Sequence, residues 1–352
     1  MKDYTEFEAH LDKLLSEEEN RKQEKRKLAK ELFKSIKTFE GDSEARKRIY
    51  RKYQLFINAS DITDNTLRGI LSKGWRMDKI PSFRELITLD TCRRKASKTY
   101  SAWPLNNKPN AVKFVDMLKV ERPKVYQEST TLDKLEIKEY PSIIKPLYAS
   151  TSQGVVIALS TTKFKIVRNG AILESIDEVK QRLQRALDKK AVGKDVWQLE
   201  ELIADVNDTE VRPARDLKFY CFYGEVGQVL EVERARTAQY RTRYPDGSFA
   251  EGAEFKENLD FPVTDFTKED VELAKRISRE IPAPFVRIDF LKTDDRMLFC
   301  EFTPRPGQYG FYKTEFDAYM GHMYLAAEAR LQKDLFEGKT FSMYKEYLDK
   351  IK

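Results

Sequence analysis

The sequence predicts an α+β fold preceded by a charged, helical N-terminal region. Two observations support this prediction. Apolar residues recur every three or four positions through the first hundred residues, which is the period of amphipathic helices. Further along, short apolar runs bounded by turn residues alternate with helical segments, which indicates a mixture of strands and helices. We therefore divide the 352 residues into a helical region at 1–102, a first lobe at 103–197 and a second lobe at 198–352.

The N-terminal region is predicted to begin with a helix from Tyr4 to about Phe39. Its first apolar stripe contains Phe7, Leu11, Leu14 and Leu15, and a second stripe resumes at Leu28. The stretch between them has no apolar residues, so we expect it to be exposed. Further helices are predicted after Asp42, at 61–73 and at 82–88. These helices could recognise a carrier or form a homo-oligomer, and the sequence does not choose between the two.

In the first lobe, the pattern predicts a helix at 111–118 and then a buried strand that ends at Lys145. A loop of small, polar residues follows the lysine and leads through Gly154 into another strand. Small residues let backbone N–H groups approach phosphate oxygens closely, and hydroxyl groups add further donors. Lys145 would add a point charge. The alternative interpretation is an ordinary hairpin loop.

A strand predicted at 196–203 crosses from the first lobe into the second. It runs into an irregular polar segment that ends at Asp208. A strand at 214–225 follows, with Asp216, Lys218 and Tyr220 on one face. The next strand is predicted to lead into a basic loop containing Arg241 and Arg243. That loop could hold an anionic substrate or could simply be solvated.

The most informative stretch is a predicted hairpin at 285–303, with its turn at 293–296. Alternation places Arg287 and Asp289 on one face of the first arm. In the second arm, alternation predicts one face with Leu298, Cys300 and Phe302, and another with Phe299, Glu301 and Thr303.

The hairpin therefore brings two carboxylates, Asp289 and Glu301, onto neighbouring strands. Such a pair repels unless a positive group lies between its members. Mg²⁺ is a suitable ion, because it takes one or two carboxylates and fills its other positions with phosphates and water. The alternative is a surface network of Arg287, Asp289 and Glu301.

Composition restricts the classes of function. The chain has 64 basic and 58 acidic residues, a net charge of +6 that suits an anionic small ligand but is weak support for nucleic-acid binding. With two histidines, a His-ligated zinc centre or a Ser-His-Asp triad is not expected. The three cysteines form no C-x-x-C pair, and neither a signal peptide nor a long apolar run is apparent. We therefore expect a cytoplasmic protein without a membrane span.

Several of these motifs resemble those of the ATP-grasp superfamily, whose enzymes join a carboxylate to an amine through an acyl phosphate. The hairpin motif Arg-x-Asp…Glu-x-x-Pro is similar to the metal-binding hairpin of the superfamily. The loop after Lys145 resembles the phosphate loop of D-alanine:D-alanine ligases, but has Ala149 and Ser150 in place of Glu and Gly. Thr303 stands where many members have Asn. This Glu-x-Thr variant and the pattern Asp-x-Lys-Phe-x-Cys-Phe-x-Gly at 216–224 are similar to the teichuronopeptide-biosynthesis (TupA-like) branch.

The resemblance implies an ATP-grasp fold, in which two α+β lobes clasp ATP, and it implies roles for individual residues. Lys108 matches the lysine that reaches the nucleotide phosphates in the superfamily, and Lys113 is the alternative for that role. The implied metal ligands are Asp289, Glu301 and Thr303, and the implied catalytic residues are Arg287, Lys218 and Arg305. The implied nucleotide-binding residues are Lys108, Lys145, Ser150, Thr151, Ser152, Gly154, Glu200, Glu201, Leu202, Ile203, Asp208 and Lys218.

The resemblance further implies ATP and Mg²⁺ as cofactors, and ligation of a small-molecule or polymer carboxylate to an amine such as an amino acid. An acidic cell-surface polymer or its precursor is the implied carboxylate. Two other hypotheses stay open at this point. One is a kinase with the same fold, which would stop at phosphorylation. The other is a non-catalytic module that binds nucleotide or nucleic acid.

Overall fold

The computed structural model describes residues 4–97, 101–148, 152–206, 211–233, 239–253, 266–307 and 309–352. The chain divides into two compact units. The first comprises Met1–Thr99, Glu251–Glu254 and Gln308–Ala326, and the second comprises Tyr100–Ala250, Phe255–Gly307 and Ala327–Lys352. The predicted boundaries of the helical region and the two lobes stay predictions.

The first unit is helical, as its sequence period predicts. Asp42 and Thr63 cap the second and third helices by accepting hydrogen bonds from backbone N–H groups of the first turn. The helices are α1 (Tyr4–Thr38), α2 (Ser43–Phe56), α3 (Asp64–Ser72) and α4 (Phe83–Ser97). Helix α4 is longer than the predicted 82–88, because its polar C-terminal half carries no apolar period although its residues are compatible with a helix.

The core of this unit forms where the C-terminal part of α1 meets α2 and α3. Phe33 packs against Tyr53 with ring centroids 5.8 Å apart, and against Trp75 at 6.2 Å. The buried members of the cluster are Ala29, Phe33, Ile36, Tyr50, Tyr53, Ile57 and Ile70. No residue before Ala29 belongs to it among those the structure describes.

The second unit begins with helix α5 (Lys108–Met117) and a six-stranded sheet. Asn107 caps α5, so the helix starts three residues before the predicted Ala111. The strands are β1 (Val125–Thr130), β2 (Ser142–Pro146), β3 (Val156–Ser160), β4 (Lys163–Ile166), β5 (Ile172–Leu173) and β6 (Trp197–Glu201), in the antiparallel order β1-β6-β2-β3-β4-β5. Helix α6 (Ile176–Asp188) buries Val179 and Leu183 in the cluster that also contains Phe164 and Trp197.

A short ribbon follows, where the sequence predicts an irregular segment. Strands β7 (Ala204–Val206) and β8 (Val211–Pro213) pair antiparallel. The prediction of an irregular segment is therefore wrong for 204–206. Each strand is only three residues long, too short for a clear alternating pattern.

A five-stranded sheet completes the second unit. Its strands are β9 (Arg215–Cys221), β10 (Val226–Glu233), β11 (Gln239–Arg243), β12 (Val286–Lys292) and β13 (Met297–Thr303), in the order β11-β10-β9-β12-β13. Arg241 and Arg243, predicted in a loop, lie in β11. The remaining helices are α7 (Lys268–Arg279), α8 (Thr314–Phe336) and α9 (Ser342–Ile351). None of the described helices is long and apolar enough to cross a lipid bilayer.

Gly321 in α8 provides a test of packing in the first unit. A Cβ atom at this position would overlap the carbonyl group of Pro81 and lie 2.9 Å from the backbone nitrogen of Phe83. Backbone atoms cannot rotate away, so we expect Gly321→Ala to destabilise the fold by about 1–3 kcal/mol. Chemical unfolding followed by circular dichroism measures the change. Gly310→Ala is the matched control, because no atom of the described part of the chain lies within 4 Å of the position that its Cβ would take. Equal stability of the two variants would contradict this packing.

Candidate active site

The five-stranded sheet places three charged residues side by side on neighbouring strands. Lys218 on β9 lies opposite Asp289 on β12, and Asp289 lies opposite Glu301 on β13. Directly opposed residues of antiparallel strands point to the same face of the sheet. The predicted meeting of the two carboxylates is therefore present in the structure, with Lys218 next to them.

Asp289 is the centre of a buried ion cluster and is only 1% exposed. The Nζ atom of Lys218 donates to its Oδ2 atom at 2.6 Å. Arg287 donates from Nε to Oδ1 and from a terminal nitrogen to Oδ2, both at 2.7 Å. The same guanidinium group lies 3.9 Å from Glu301 and donates to the Thr303 hydroxyl at 2.9 Å. A cation therefore lies between the two carboxylates, and the network is buried rather than on the surface.

The ionisation of this cluster follows from two opposing effects. Burial by itself would raise the pKa of Asp289, but the Lys218 ammonium and the Arg287 guanidinium outweigh it and hold that pKa below its ordinary value. Burial would likewise lower the pKa of Lys218, but Asp289 and Asp216 together raise it. Asp216 lies 3.5 Å from the Lys218 ammonium. Asp289 and Lys218 are consequently charged at neutral pH.

The β12–β13 pairing contains a bulge at Cys300 that alternation did not predict. Glu301 pairs with Asp289, whereas the next residue of β12, Phe290, pairs with Phe299. The extra residue reverses the alternation. The prediction that Cys300 shares a face with Phe302 is therefore wrong. Phe299 shares that face, and the ring centroids of Phe299 and Phe302 are 4.7 Å apart.

The bulge turns Cys300 towards the charged site. Burial raises the pKa of its thiol to about 12, and the charges of Glu301, Lys145, Asp216 and Lys108 also act on it. The uninterrupted apolar run Met297–Phe299 is the one sequence signal that alternation fails in this arm. Cys300 is thus a site residue that sequence reasoning missed.

Lys145 is the charged residue that the six-stranded sheet contributes. It lies near the end of β2, and its ammonium group donates to Oε1 of Glu200 on the neighbouring β6. Gln198 donates to the other oxygen of Glu200 at 3.3 Å. Burial would lower the pKa of Lys145, but Glu200, Cys300 and Asp216 raise it overall. Because Asp216 and Cys300 belong to the five-stranded sheet, Lys145 lies within electrostatic reach of that sheet's charged cluster.

Lys108 joins the same region from the first turn of α5. Its ammonium group lies 3.3 Å from Oε2 of Glu301, and its side chain is half-exposed. Glu201, at the end of β6, accepts from Arg296 at 2.9 Å and from the backbone N–H of Lys124 at 3.1 Å. The two glutamates predicted to bind nucleotide therefore have separate partners, Lys145 for Glu200 and Arg296 for Glu201.

The other predicted site residues are distributed as follows. Ser152 and Gly154 both have left-handed backbone conformations, with φ of 59° and 70°. Leu202 and Ile203 are buried directly after β6. Arg305 is exposed after β13. Ser150, Thr151 and Asp208 lie outside the described residues.

The site's capacity for a metal rests on two carboxylates rather than on a larger cluster. No group of three or more His, Cys, Asp or Glu residues suited to a metal is found among the described residues. Asp289 and Glu301 nevertheless supply hard oxygen donors on adjacent strands. Mg²⁺ requires no more than one or two protein carboxylates when phosphates and water complete its shell. The donor set therefore fits Mg²⁺ bound together with a phosphate ligand.

The depressed pKa of Asp289 leads to a prediction about stability and pH. Its ion pairs stabilise the folded state above the pKa of an unfolded aspartate, about 3.9, and this stabilisation is lost as the pH falls through the lower folded pKa. We expect Asp289→Asn to lower the free energy of unfolding by about 3–5 kcal/mol at pH 7, because two buried cations lose their partner. This deficit should shrink steadily below about pH 4.

Denaturant titrations of both proteins between neutral and acidic pH measure this difference. Asp188→Asn, at the exposed C-terminal end of α6, is the control and should change stability by no more than about 0.5 kcal/mol. A deficit for Asp289→Asn that is the same at every pH would contradict the charged state of the cluster.

Three solved structures illustrate what the chain is similar to. A D-alanine–D-alanine ligase from Bacillus anthracis complexed with ATP shares 14% identity at a TM-score of 0.39, and the match covers 66% of this chain and 69% of the ligase. The D-alanine–D-alanine ligase from Helicobacter pylori shares 13% identity at a TM-score of 0.34, covering 63% and 60%. The ATP-grasp ligase PsnB, solved with a minimal precursor, Mg and ADP, shares 11% identity at a TM-score of 0.38. The match covers 64% of this chain and 59% of PsnB.

The comparison with curated proteins returned no match. A protein-family model described as TupA-like ATPgrasp matches residues 88–325, which is more than half of the chain. The match includes both sheets and every residue of the charged cluster. It also confirms the predicted ATP-grasp fold. The chain belongs to the TupA-like ATP-grasp family.

Proposed function

We propose that this protein is an ATP-dependent ligase that joins a carboxylate to an amine through an acyl phosphate. One observation carries the proposal. Lys145 of one sheet lies within electrostatic reach of Asp216 on the other sheet, and Asp216 lies 3.5 Å from the Lys218 ammonium, which is itself paired with Asp289. A nucleoside triphosphate and its metal ion require this combination in one place, because cationic side chains bind the phosphates and carboxylates bind the metal ion.

In this proposal the lysines hold the triphosphate of ATP. Each predicted phosphate-binding lysine has a carboxylate partner: Lys108 has Glu301, Lys145 has Glu200, and Lys218 has Asp289. Phosphate oxygens accept charge-assisted hydrogen bonds from the same ammonium groups. When ATP binds, the ammonium groups would exchange carboxylate partners for phosphate oxygens. The carboxylates of Asp289 and Glu301 would become available for a cation once the Arg287 guanidinium, which contacts both of them, also turns to a substrate oxygen.

Asp289 and Glu301 would hold Mg²⁺, which would neutralise charge on the phosphates when bound. Thr303 was predicted as a third ligand. Its hydroxyl group accepts a hydrogen bond from Arg287 at 2.9 Å. We therefore propose that Thr303 orients Arg287, while the two carboxylates provide the protein's metal ligands.

The proposed reaction has two steps that balance. The substrate carboxylate attacks the γ-phosphorus of ATP, which forms an acyl phosphate and releases ADP. The amine then attacks the acyl carbon, the carbon–oxygen bond to phosphate breaks, and an amide and inorganic phosphate are formed after loss of a proton from the amine. Arg287 would stabilise the oxyanion that develops in the second step. Its pKa is raised by Asp289 in spite of burial, so it keeps its charge throughout. Arg305 is proposed as a second cation for the acyl phosphate.

The substrate class follows from family membership alone. We propose an acidic cell-surface glycan, peptide or precursor as the carboxylate and an amino acid as the amine. A cytoplasmic location, where ATP is available, is part of the same proposal.

The first test of this function is the loss of ADP release in two variants. We expect Lys145→Ala and Asp289→Asn to release ADP at least about 100-fold more slowly than the unaltered protein, because each removes a preorganised charge at the triphosphate. A coupled ADP assay on purified protein measures the rate, and circular dichroism establishes that each variant is folded. Lys163→Ala on β4 is the matched control, since this lysine is exposed and should leave the rate unchanged. Undiminished ADP release by a folded Lys145→Ala variant would refute the assignment.

The second test separates ligation from phosphorylation. Uronic or glutamyl acceptors are supplied with ATP, with and without a mixture of amino acids. The proposal predicts ADP release that depends on both the carboxylate and the amine. Continuous turnover of ADP without any amine would identify a kinase, because formation of the acyl phosphate alone releases no more than one equivalent of ADP per protein. Nucleotide binding without ADP release under all conditions would identify a binding module.

A further inference from the structure

The N-terminal part of α1 is a long helical arm whose apolar face is not covered by any of the residues that the structure describes. From Tyr4 to Glu24, every residue except Glu18 is exposed. A helix of this length extends for about 30 Å. A helix in a protein gains most of its stability from tertiary packing of its apolar face. This arm therefore needs a partner surface.

The apolar residues of the arm follow a heptad spacing. Tyr4, Phe7, Leu11 and Leu14 are separated by three, four and three positions, the pattern of a coiled-coil seam. Their exposed fractions range from 42% for Leu14 to 76% for Tyr4. Continuing the same spacing leads to Leu28 and Leu32, which are also exposed although they flank the buried core residues of α1.

The charges of α1 are strongly separated along its length. Residues 4–19 contain six acidic residues and one basic residue, a net charge of −5. Residues 20–38 contain eight basic and two acidic residues, a net charge of +6. Two copies of α1 in parallel would set like charges against each other. Two antiparallel copies would set each acidic half against a basic half.

We propose that α1 pairs with α1 of a second copy of this chain as an antiparallel coiled coil. In the register that places Leu11 beside Leu28 of the partner subunit, Phe7 meets Leu32 of the partner subunit. Glu18 then meets Arg21 of the partner subunit, and Leu14 meets Lys25 of the partner subunit. Apolar layers lie towards the two ends of the pair, and the complementary charged layers of Glu18 and Arg21 lie in its middle. Charged layers of this kind specify register and orientation.

The chemistry of the arm disfavours a membrane as its occupant. Helices that lie on anionic lipid surfaces carry basic residues on their polar face. The arm's exposed apolar stripe is instead accompanied by a net charge of −5 over residues 4–19. The proposal concerns assembly through the first unit and does not depend on the proposed ligase reaction.

The first experiment measures molar mass by light scattering at micromolar concentration. We expect the full chain to have twice its monomeric mass of 41.3 kDa. The variant Leu11→Ser/Leu14→Ser should be monomeric. Its dimer dissociation constant should be at least about 100-fold higher, because the variant loses apolar layers of the seam. Lys13→Ser, also in the arm but off the seam, is the matched control and should remain dimeric. A monomeric wild-type chain, or a dimer that persists in the Leu11→Ser/Leu14→Ser variant, would overturn the proposal.

A charge-swap experiment tests the pairing partners. Glu17→Lys/Glu18→Lys and Arg21→Glu/Lys22→Glu each place like charges in the middle layers, so each variant alone should be monomeric. An equimolar mixture restores opposite charges in every middle layer and should form a heterodimer. Circular dichroism establishes that both variants keep α1 helical. Failure of the mixture to associate, with both variants helical, would overturn the proposed layers.

Cysteine cross-linking tests the orientation. In a Cys92→Ser background, which removes an exposed thiol, the variants Leu11→Cys and Leu28→Cys are mixed and oxidised. The antiparallel register predicts a disulfide between the two proteins. It predicts none within a Leu11→Cys sample alone, because those positions would be about 25 Å apart. Efficient cross-linking of Leu11→Cys with itself would indicate a parallel pair and overturn the orientation.

Discussion

The pairing of Lys218, Asp289 and Arg287 in the five-stranded sheet is the interaction on which the site depends. A carboxylate as buried as Asp289 would be neutral without partners, since desolvation disfavours the charged form. The two cations compensate its burial and hold it ionised. Their positions follow from strand register, because β9, β12 and β13 bring Lys218, Asp289 and Glu301 into one row. The proposed metal site and the proposed phosphate site are therefore two aspects of one charge balance.

The charges of this site balance one another within the protein itself. Lys108, Lys145, Lys218 and Arg287 lie among Glu200, Asp216, Asp289 and Glu301. A bound triphosphate and divalent cation would exchange partners with these groups rather than enter an unbalanced field. Such exchange costs less than exposing bare buried charges. The arrangement thus suits a site that must bind and release a highly charged molecule in each catalytic cycle.

The two units of the chain use charge in different ways. In the second unit, opposite charges alternate over short distances on strands and are buried. In α1 of the first unit, charges of one sign are collected over several helical turns and are exposed. The buried arrangement suits the recognition of a small anionic ligand. The segregated arrangement suits recognition of a long complementary surface, which a second copy of the same helix would supply in the proposed coiled coil.

The sequence by itself determined the α+β class, the helical first region and the hairpin that brings Asp289 opposite Glu301. Apolar residues that recur every 3.6 positions in a helix, or every second position in a strand, indicate which face of the element is buried. Only the tertiary structure decided the bulge at Cys300, since a one-residue insertion in a strand pairing depends on the neighbouring strand. It also decided that Arg287 lies between the carboxylates and that Glu200 is the partner of Lys145. The contact of Lys145 with Glu200 joins residues 55 positions apart in the chain, and local patterns carry no information on distances between elements. The short strands β7 and β8 were missed for a related reason, as three residues are too few to establish a period.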